Sequence, residues 1–486
     1  MRFCKIGCFL MAALLLLCAF VACDNKKTPS TDNSGGQLTG DGQSPEEKVL
    51  HSFERVDYKN EVFTIAASSS YENRFVIDQF PVFDDYNGNI VHDALFDRDM
   101  MIEEYFNISI EYDDVLDSQM ATHVSPGISA GDDEYSLILA NLGNAVRKLF
   151  NADYLRNLYD FEDIDLSNSW WNRQSVENFE LNGKIFMATG AITNRYVYAP
   201  YAMLFNTRLI TEWGLENPYD LVESGDWTLE NFRIMIEDTY IDDGNDTVDV
   251  TDFYGLAPSS DSETAYYFAC GGRLVQKTGD ELLPVYENKT NVDLLQEVIE
   301  MYLTDDVLKF KELYDSNATF KDGRAIFHST ALCDITMLSN MVDKYGIVPM
   351  PKYTVDQDRY ISNANSSIST MAVLPITVQN TKKVGTIVEA LAAVSQYTSL
   401  DKQYDTVLLL RQALDEKSKM NLQLVADSVS YDWGYTFDIA SLRTKISQAI
   451  LKGNVGVADD YASVRDMFND ALSELIARFY YEHTEE

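Results

Sequence analysis

The sequence predicts an α/β protein of two lobes, and three observations predict it. About 440 of the 486 residues follow a polar leader region, too many for one compact core. From Val62 onward, short apolar runs alternate with amphipathic stretches, the pattern of strands joined by crossover helices. The same pattern restarts near Met203, which divides the body in two.

The N-terminus comes first. Arg2 and Lys5 precede an uncharged apolar run, Ile6 to Ala22, that ends in Phe20-Val21-Ala22-Cys23. A basic start, an apolar middle and small residues at a cleavage point make a secretory signal over residues 1–22. The segment around Ala22-Cys23 resembles a bacterial lipobox, which implies a lipid on Cys23. Residues 23–57 are expected to form a lipidated flexible tether, because Thr, Ser, Asn, Gly, Gln and Pro dominate its first half. Loss of residues 1–22, which hold no acid, takes the net charge from −39 to −41. Such a field repels nucleic acid and anionic lipid headgroups. Cys4, Cys8 and Cys18 leave with the signal, so Cys270 and Cys333 are the pair left for a disulfide, and sequence does not decide whether they meet.

In the body, Val62–Ala67 is a predicted buried strand ending at Ser68-Ser69-Ser70. Asp93–Phe106 is a helix with Ala94, Leu95, Met101, Ile102 and Tyr105 on one stripe. Strands follow at Ile108–Tyr112 and Tyr135–Ala140, the second running into Asn141-Leu142-Gly143-Asn144. The alternation implies parallel sheets, and ligands of such sheets bind beyond the carboxyl ends of strands. That rule selects Ser68–Tyr71 and Asn141–Asn144. The second unit offers a strand at Met203–Phe205, a helix at Thr207–Trp213 capped by Gly214, and Thr228 as a helix N-cap. Ala325–His328 is a strand after the Asp322-Gly323 turn, with Ser329 and Thr330 placed to cap a following helix. Asn291–Leu303 and Tyr461–Tyr481 are helical.

Several segments carry a family likeness. The run YAPYAMLFNTRLITEWGLENP, followed by GDWTLENF, resembles the signature of family 1 extracellular solute-binding proteins, with Phe205-Asn206, Pro218 and Trp227 at the matching places. FKDGRAIFHST and YGIVPMPKY are similar to two further family segments, and NGNIVHDALFDRDMMIEEYFNISI and QYDTVLLLRQALDEKSKMNLQLVADSVSYDWGY resemble a clostridial branch of carbohydrate binders. The resemblance implies a periplasmic-binding-protein type II fold with a hinge and an interlobe cleft. Lobe one would take 58–192 plus 364–410, and lobe two 193–363 plus 411–486. Hinges would lie at Ala188–Tyr196, Tyr360–Asn365 and near Leu410. It further implies a lipid-anchored receptor on the outer face of the cell membrane. That receptor would capture a carbohydrate-like solute as a monomer, pass it to an ABC permease, and touch the membrane through its lipid alone. No cofactor or metal is implied.

Sugars are held by aromatic faces against ring C–H groups and by placed polar side chains. Loop residues at strand ends and crossovers supply the candidates. Lobe one offers Ser69, Tyr71, Asn141 and Asn144, and the first crossover offers Asn194 and Tyr196. Lobe two offers Tyr266, Tyr267, His328, Thr330 and Trp433. With 29 Tyr, 24 Phe and 5 Trp, most rings must instead be structural. Trp170-Trp171 is the clearest exposed-looking pair, and it could equally cap a hydrophobic edge.

Catalytic signatures are weak. Gly127-Ile128-Ser129-Ala130-Gly131 fits G-x-S-x-G, yet the strand follows it instead of preceding it, the reverse of a nucleophile elbow. The 5 histidines show no metal spacing. The acidic run Asp242–Leu256 resembles a decayed calcium loop, but Gly244 stands where a ligand belongs. A lipid-anchored secreted carbohydrate-active hydrolase is the alternative function, and a surface adhesin the third.

Overall fold

The computed structural model describes residues 42–69, 79–193, 195–309, 315–403, 416–454 and 456–480. Cys23, Tyr71, Asn194 and the hinge expected near Leu410 lie outside the described residues. The folded body starts earlier than the composition suggests. Helix α1 (Pro45–Leu50) has acidic Glu46 and Glu47 in its first turn and buries Leu50, so residues 45–57 are not tether throughout.

Strand β1 (Glu61–Ala67) leads to α2 (Ile90–Phe106), whose N-cap Asn89 accepts from the amides of Val91 and His92. Asn107, left-handed at φ 51°, closes α2 and turns the chain into β2 (Ile108–Asp114). Next come α3 (Met120–Ala130), the fully buried β3 (Leu137–Asn141) and α4 (Arg173–Phe179). The G-x-S-x-G run lies inside α3 and across its left-handed Gly131 cap, so Ser129 sits on a helix and not at a strand-to-helix elbow.

Lobe two contains β4 (Tyr201–Asn206), α5 (Thr207–Glu212), α6 (Leu229–Ile236), β5 (Tyr254–Leu256), α7 (Ser262–Ala269), α8 (Lys289–Leu303), β6 (Ala325–Ala331) and β7 (Tyr345–Pro349). Short β8 (Ser362–Asn363), β9 (Thr370–Val373) and α9 (Thr381–Tyr397) follow. The chain ends with α10 (Glu416–Asp427), β10 (Val429–Ser430), α11 (Leu442–Lys452) and α12 (Val457–Tyr480). Thr228 caps α6 by accepting from Asn231 N at 3.3 Å, as expected. Among the described residues no helix is long and apolar enough to cross a membrane.

The first sheet has the order β9-β3-β1-β2 and the second β5-β6-β4-β7. Neither is wholly parallel. In the first, β1 is parallel to β2 and β3, while Thr370 of β9 pairs antiparallel with Asn141 at the end of β3. In the second, β5 and β6 are parallel, while Tyr201 of β4 pairs antiparallel with Ala331 at the end of β6. The reason is topological. Each of β4 and β9 is the first strand after the chain passes from one lobe to the other, so it enters its sheet where the neighbours finish.

Two connecting segments, 195–200 and 364–369, run side by side through the Pro200–Ala364 bridge. Ser362 Oγ donates to Tyr201 O at 2.8 Å, and β8 pairs with β10. Strand β6 continues through Ser329, Thr330 and Ala331, so the expected helix cap there is a strand interior. Cys270 and Cys333 are both buried and both free.

A candidate ligand cleft between the lobes

Segments at strand ends of the two sheets come together through side-chain contacts. Ser68 and Ser69 follow β1, Asn141 ends β3, and Ser366 lies just ahead of β9. On the other side, Ala257–Asp261 follow β5, and residues 437–443 run into α11.

Two arginines join these segments. Arg147 Nη1 donates to Phe437 O at 3.0 Å, and Arg443 Nη1 donates to Ser366 Oγ at 3.0 Å. Burial pushes the Arg147 guanidinium below its ordinary value, with the Asp438 charge opposing. For Arg443, burial is outweighed by the nearby Tyr435, Asp438 and Asp261, and its value rises. Guanidinium donors beside carboxylate acceptors suit the hydroxyls of a polyol.

The backbone here is strained. Eleven described non-glycine residues have positive φ. Four of them, Asp261 (68°), Asp438 (46°), Ala440 (52°) and Ser441 (55°), fall on the two lobe-two segments of the cleft. Each such residue costs about 1–3 kcal/mol and persists where packing over-determines it, a habit of functional sites.

Sequence-selected residues divide sharply by place. Ser69 is half-buried, and its amide and Oγ donate to Asp114 at 2.9 and 2.7 Å. Asn141 is buried and structural, since Oδ1 accepts from Asn144 N at 2.8 Å and Nδ2 donates to Ser367 O at 2.6 Å. Asn144 is half-buried, on the first turn beyond Asn141. Tyr196 borders a different groove.

The lobe-two candidates are in the core. Tyr266 and Tyr267 are 0 % exposed, inside a helix buried on every side, and Tyr266 stacks on Phe232. His328 and Thr330 are interior residues of β6. The His328 ring sits 2.6 Å from Ala257 O and 2.8 Å from Asn317 Oδ1, and Thr330 Oγ1 donates to Asp334 at 2.7 Å. Trp433 packs between Phe179 and Phe437, and its Nε1 donates to Asn178 O at 2.9 Å. These five offer a solute no open face here.

The sequence reasoning missed Arg147, Asp261, Ser366, Asp438 and Arg443. It also missed Arg195, next to two selected residues. Arg195 is 1 % exposed, and it donates to Asp117 Oδ2 at 2.6 Å and Ser68 O at 3.0 Å, pinning the first connecting segment to the ends of β1 and β2. The strand-end rule applied to lobe two would have found Asp261, because Ser259-Ser260-Asp261 follow β5 as Ser68-Ser69 follow β1.

The acidic turn is tightly self-bonded. Asp242, Asp243 and Asp252 bring oxygens within 4.8 Å of one another. Buried Asp252, however, already accepts from Tyr240 Oη at 2.9 Å and from the amides of Asp243 and Asp249 at 3.0 Å each.

No protein-family model and no curated protein matches the chain in sequence. Solved structures match in fold, and the fold is the two-lobed type II periplasmic-binding-protein fold. A cyclo/maltodextrin-binding protein complexed with maltotetraose aligns at TM-score 0.56 and 11% identity, over 88% of this chain and 100% of that one. The GacH receptor of Streptomyces glaucescens, solved unliganded and with acarbose, aligns at TM-score 0.55 and 13% identity, over 86% and 99%. An ABC substrate-binding protein from Listeria monocytogenes in complex with cycloalternan aligns at TM-score 0.53 and 12% identity, over 85% and 98%.

Proposed function

We propose that this chain is an extracellular receptor that closes its two lobes over a carbohydrate and hands it, unchanged, to a membrane permease. The observation that carries this is the cleft itself, where Arg147, Arg443, Asp261 and Asp438 meet at the strand ends of both lobes. Support comes from the sugars held by its structural neighbours, maltotetraose, acarbose and cycloalternan. The lipid on Cys23 belongs to the same proposal and would hold the receptor at the membrane surface. Stable anchoring takes more than one acyl chain.

Hydrolysis is the second possibility, and one carboxyl bears on it. Burial pushes Glu263, at the cleft end of α7, up to about 7, a value suited to a general acid. Glu263 is 3 % exposed and accepts from Ser447 Oγ at 2.5 Å, so the carboxyl faces protein and not solute.

The test is thermal melting of the full chain, in detergent, against a panel of mono- and oligosaccharides, with recovery of the sugar afterwards. A ligand at about 100 times its Kd adds about 2.7 kcal/mol of stability. A shift with one sugar, recovered intact, is the expected result. No shift with any sugar overturns the carbohydrate assignment, and cleavage products make the chain an enzyme. Mass spectrometry of the N-terminus tests Cys23, where an unmodified thiol refutes the anchor.

A further inference from the structure

A groove of about 960 Å³ lies away from the strand-end cleft. Its lining includes Trp170, Tyr196, Tyr397, Gln174, Gln396 and Gln423. Lobe one contributes the Trp170 segment and the end of α9, and α10, which packs on β7 of lobe two, contributes the opposite wall. Ligand sites of small molecules span about 300–1,000 Å³.

The aromatic wall is built at some cost. Glu389 of α9 is 3 % exposed, and its two oxygens accept from Trp170 Nε1 at 2.8 Å, Asn168 Nδ2 at 2.9 Å and Trp171 Nε1 at 2.9 Å. A buried carboxylate is expensive to desolvate. Here it fixes both indoles through their N–H groups, which leaves the Trp170 ring to serve as a surface. Trp171 pairs in addition with Gly190, whose Cα has no room for a side chain because Trp170 O would lie 2.2 Å from a Cβ. Tyr397, 39 % exposed, stands at the end of the same helix that carries Glu389.

The polar part of the lining is amide-rich. Gln396 Oε1 accepts from Ser169 Oγ at 3.0 Å, and Gln423 Nε2 donates to Asp427 at 2.9 Å. Side-chain amides donate and accept at once, as hydroxyl-rich ligands require. Asp401, Asp427 and Glu177 surround the opening, with Arg173 already paired to Glu177 at 2.5 Å. That charge disfavours uronates, sulfates and phosphates.

We infer that this groove is a second carbohydrate site, one that stacks the pyranose ring of a neutral oligosaccharide on Trp170 and Tyr397 between the two lobes. Because its walls belong to both lobes, a sugar here and a solute in the cleft affect one another reciprocally. The inference stands whether or not the cleft takes sugar.

The test uses the full chain labelled with 5-fluorotryptophan, whose 5 tryptophans give separate ¹⁹F lines. Trp170→Phe assigns the relevant line. The probes are maltotetraose, cellotetraose and xylotetraose, with tetragalacturonate as the anionic control. The Trp170 line is expected to move with a neutral probe and not with the anionic one. It is expected to do so equally in an Arg443→Ala/Asp438→Ala variant, where the cleft is disabled. Tyr397→Ala should weaken this response about tenfold, the scale of one lost aromatic face. A Trp170 line that no probe moves overturns the inference, even if melting shows that the cleft binds sugar. A shift abolished by the cleft variant overturns it too, since the line would then report lobe movement alone.

Discussion

Glu263→Gln should make the protein more stable at neutral pH, and the size of the effect follows from where the carboxyl sits. Burial pushes Glu263 up to about 7 from an ordinary 4.5, with the Ser447 hydrogen bond working against the rise and the Asp261 charge adding to it. Between those two values the folded chain keeps a proton that the unfolded chain has released. The unfolded state then binds fewer protons, so stability falls as pH rises from 4.5 to about 7 and levels off above. At 1.36 kcal/mol per pH unit, that interval is worth about 3 kcal/mol. Gln has the same shape, can still accept from Ser447 Oγ, and stays neutral throughout. Urea unfolding of both proteins between pH 4.5 and about 8 is the assay. The curves should coincide near pH 4.5 and separate to about 3 kcal/mol in favour of the variant at pH 8. Parallel pH profiles, or a variant less stable at pH 8, would refute the assignment of this carboxyl as buried and protonated.

Other expectations concern the cleft, the core and the groove wall. Arg443→Ala removes the donor to Ser366 and the cation beside Asp438, and should weaken solute binding at least tenfold by calorimetry with the fold intact. Unchanged affinity would place the solute elsewhere. Burial pushes the His328 imidazole down to about 4 against the pull of the Ala257 carbonyl, so the folded ring stays neutral while the unfolded one takes a proton below 6.5. In the Glu263→Gln background, stability should therefore fall by about 3 kcal/mol as pH drops from 6.5 to about 4, and a flat acid limb contradicts this. Gly190→Ala would bring a Cβ to 2.2 Å from Trp170 O, backbone against backbone, and should cost about 3 kcal/mol in urea unfolding. A variant as stable as the parent would mean that the Trp170–Trp171 segment is packed differently.

What the sequence made legible depended on which physical signal each element leaves. Strand β1, helix α2 and strand β2 emerged close to their observed bounds, since one-sided burial writes a period into the residues. Strand β6 was cut short at His328 because Ser329 and Thr330 look like cap residues. In the folded chain their hydroxyls find Ser262 Oγ at 3.0 Å and Asp334 at 2.7 Å, which makes polar side chains tolerable in a buried strand. Helix α7 is buried on all faces, so Tyr266 and Tyr267 carried no mark that distinguished core from binding surface. The cleft was legible where a strand end announced it, at Ser69 and Asn144. It was illegible at Asp438, Ala440 and Ser441, whose left-handed backbone is usually signalled by glycine and here is not.

The chemistry of the interlobe contacts bears on how such a cleft can open. At the strand ends the lobes are joined by guanidinium donors on a hydroxyl and a carbonyl, each worth about 1.5–3 kcal/mol. A sugar hydroxyl offers Arg443 the same acceptor that Ser366 does, so solute entry exchanges hydrogen bonds without stranding a charge. Moving a two-state equilibrium from 1:99 to 99:1 takes about 5.5 kcal/mol, so exchange alone does not close the lobes, and a solute must add about two to four bonds made only in the closed state. The other seam is different in kind. Phe479 of α12 packs on Phe150 and Phe186, and Trp433 packs on Phe179, an apolar junction with no solute-like substitute. Phe437, whose carbonyl takes the Arg147 bond, belongs to that junction through Trp433 and Phe150, which leaves the Arg443–Ser366 bond as the exchangeable contact.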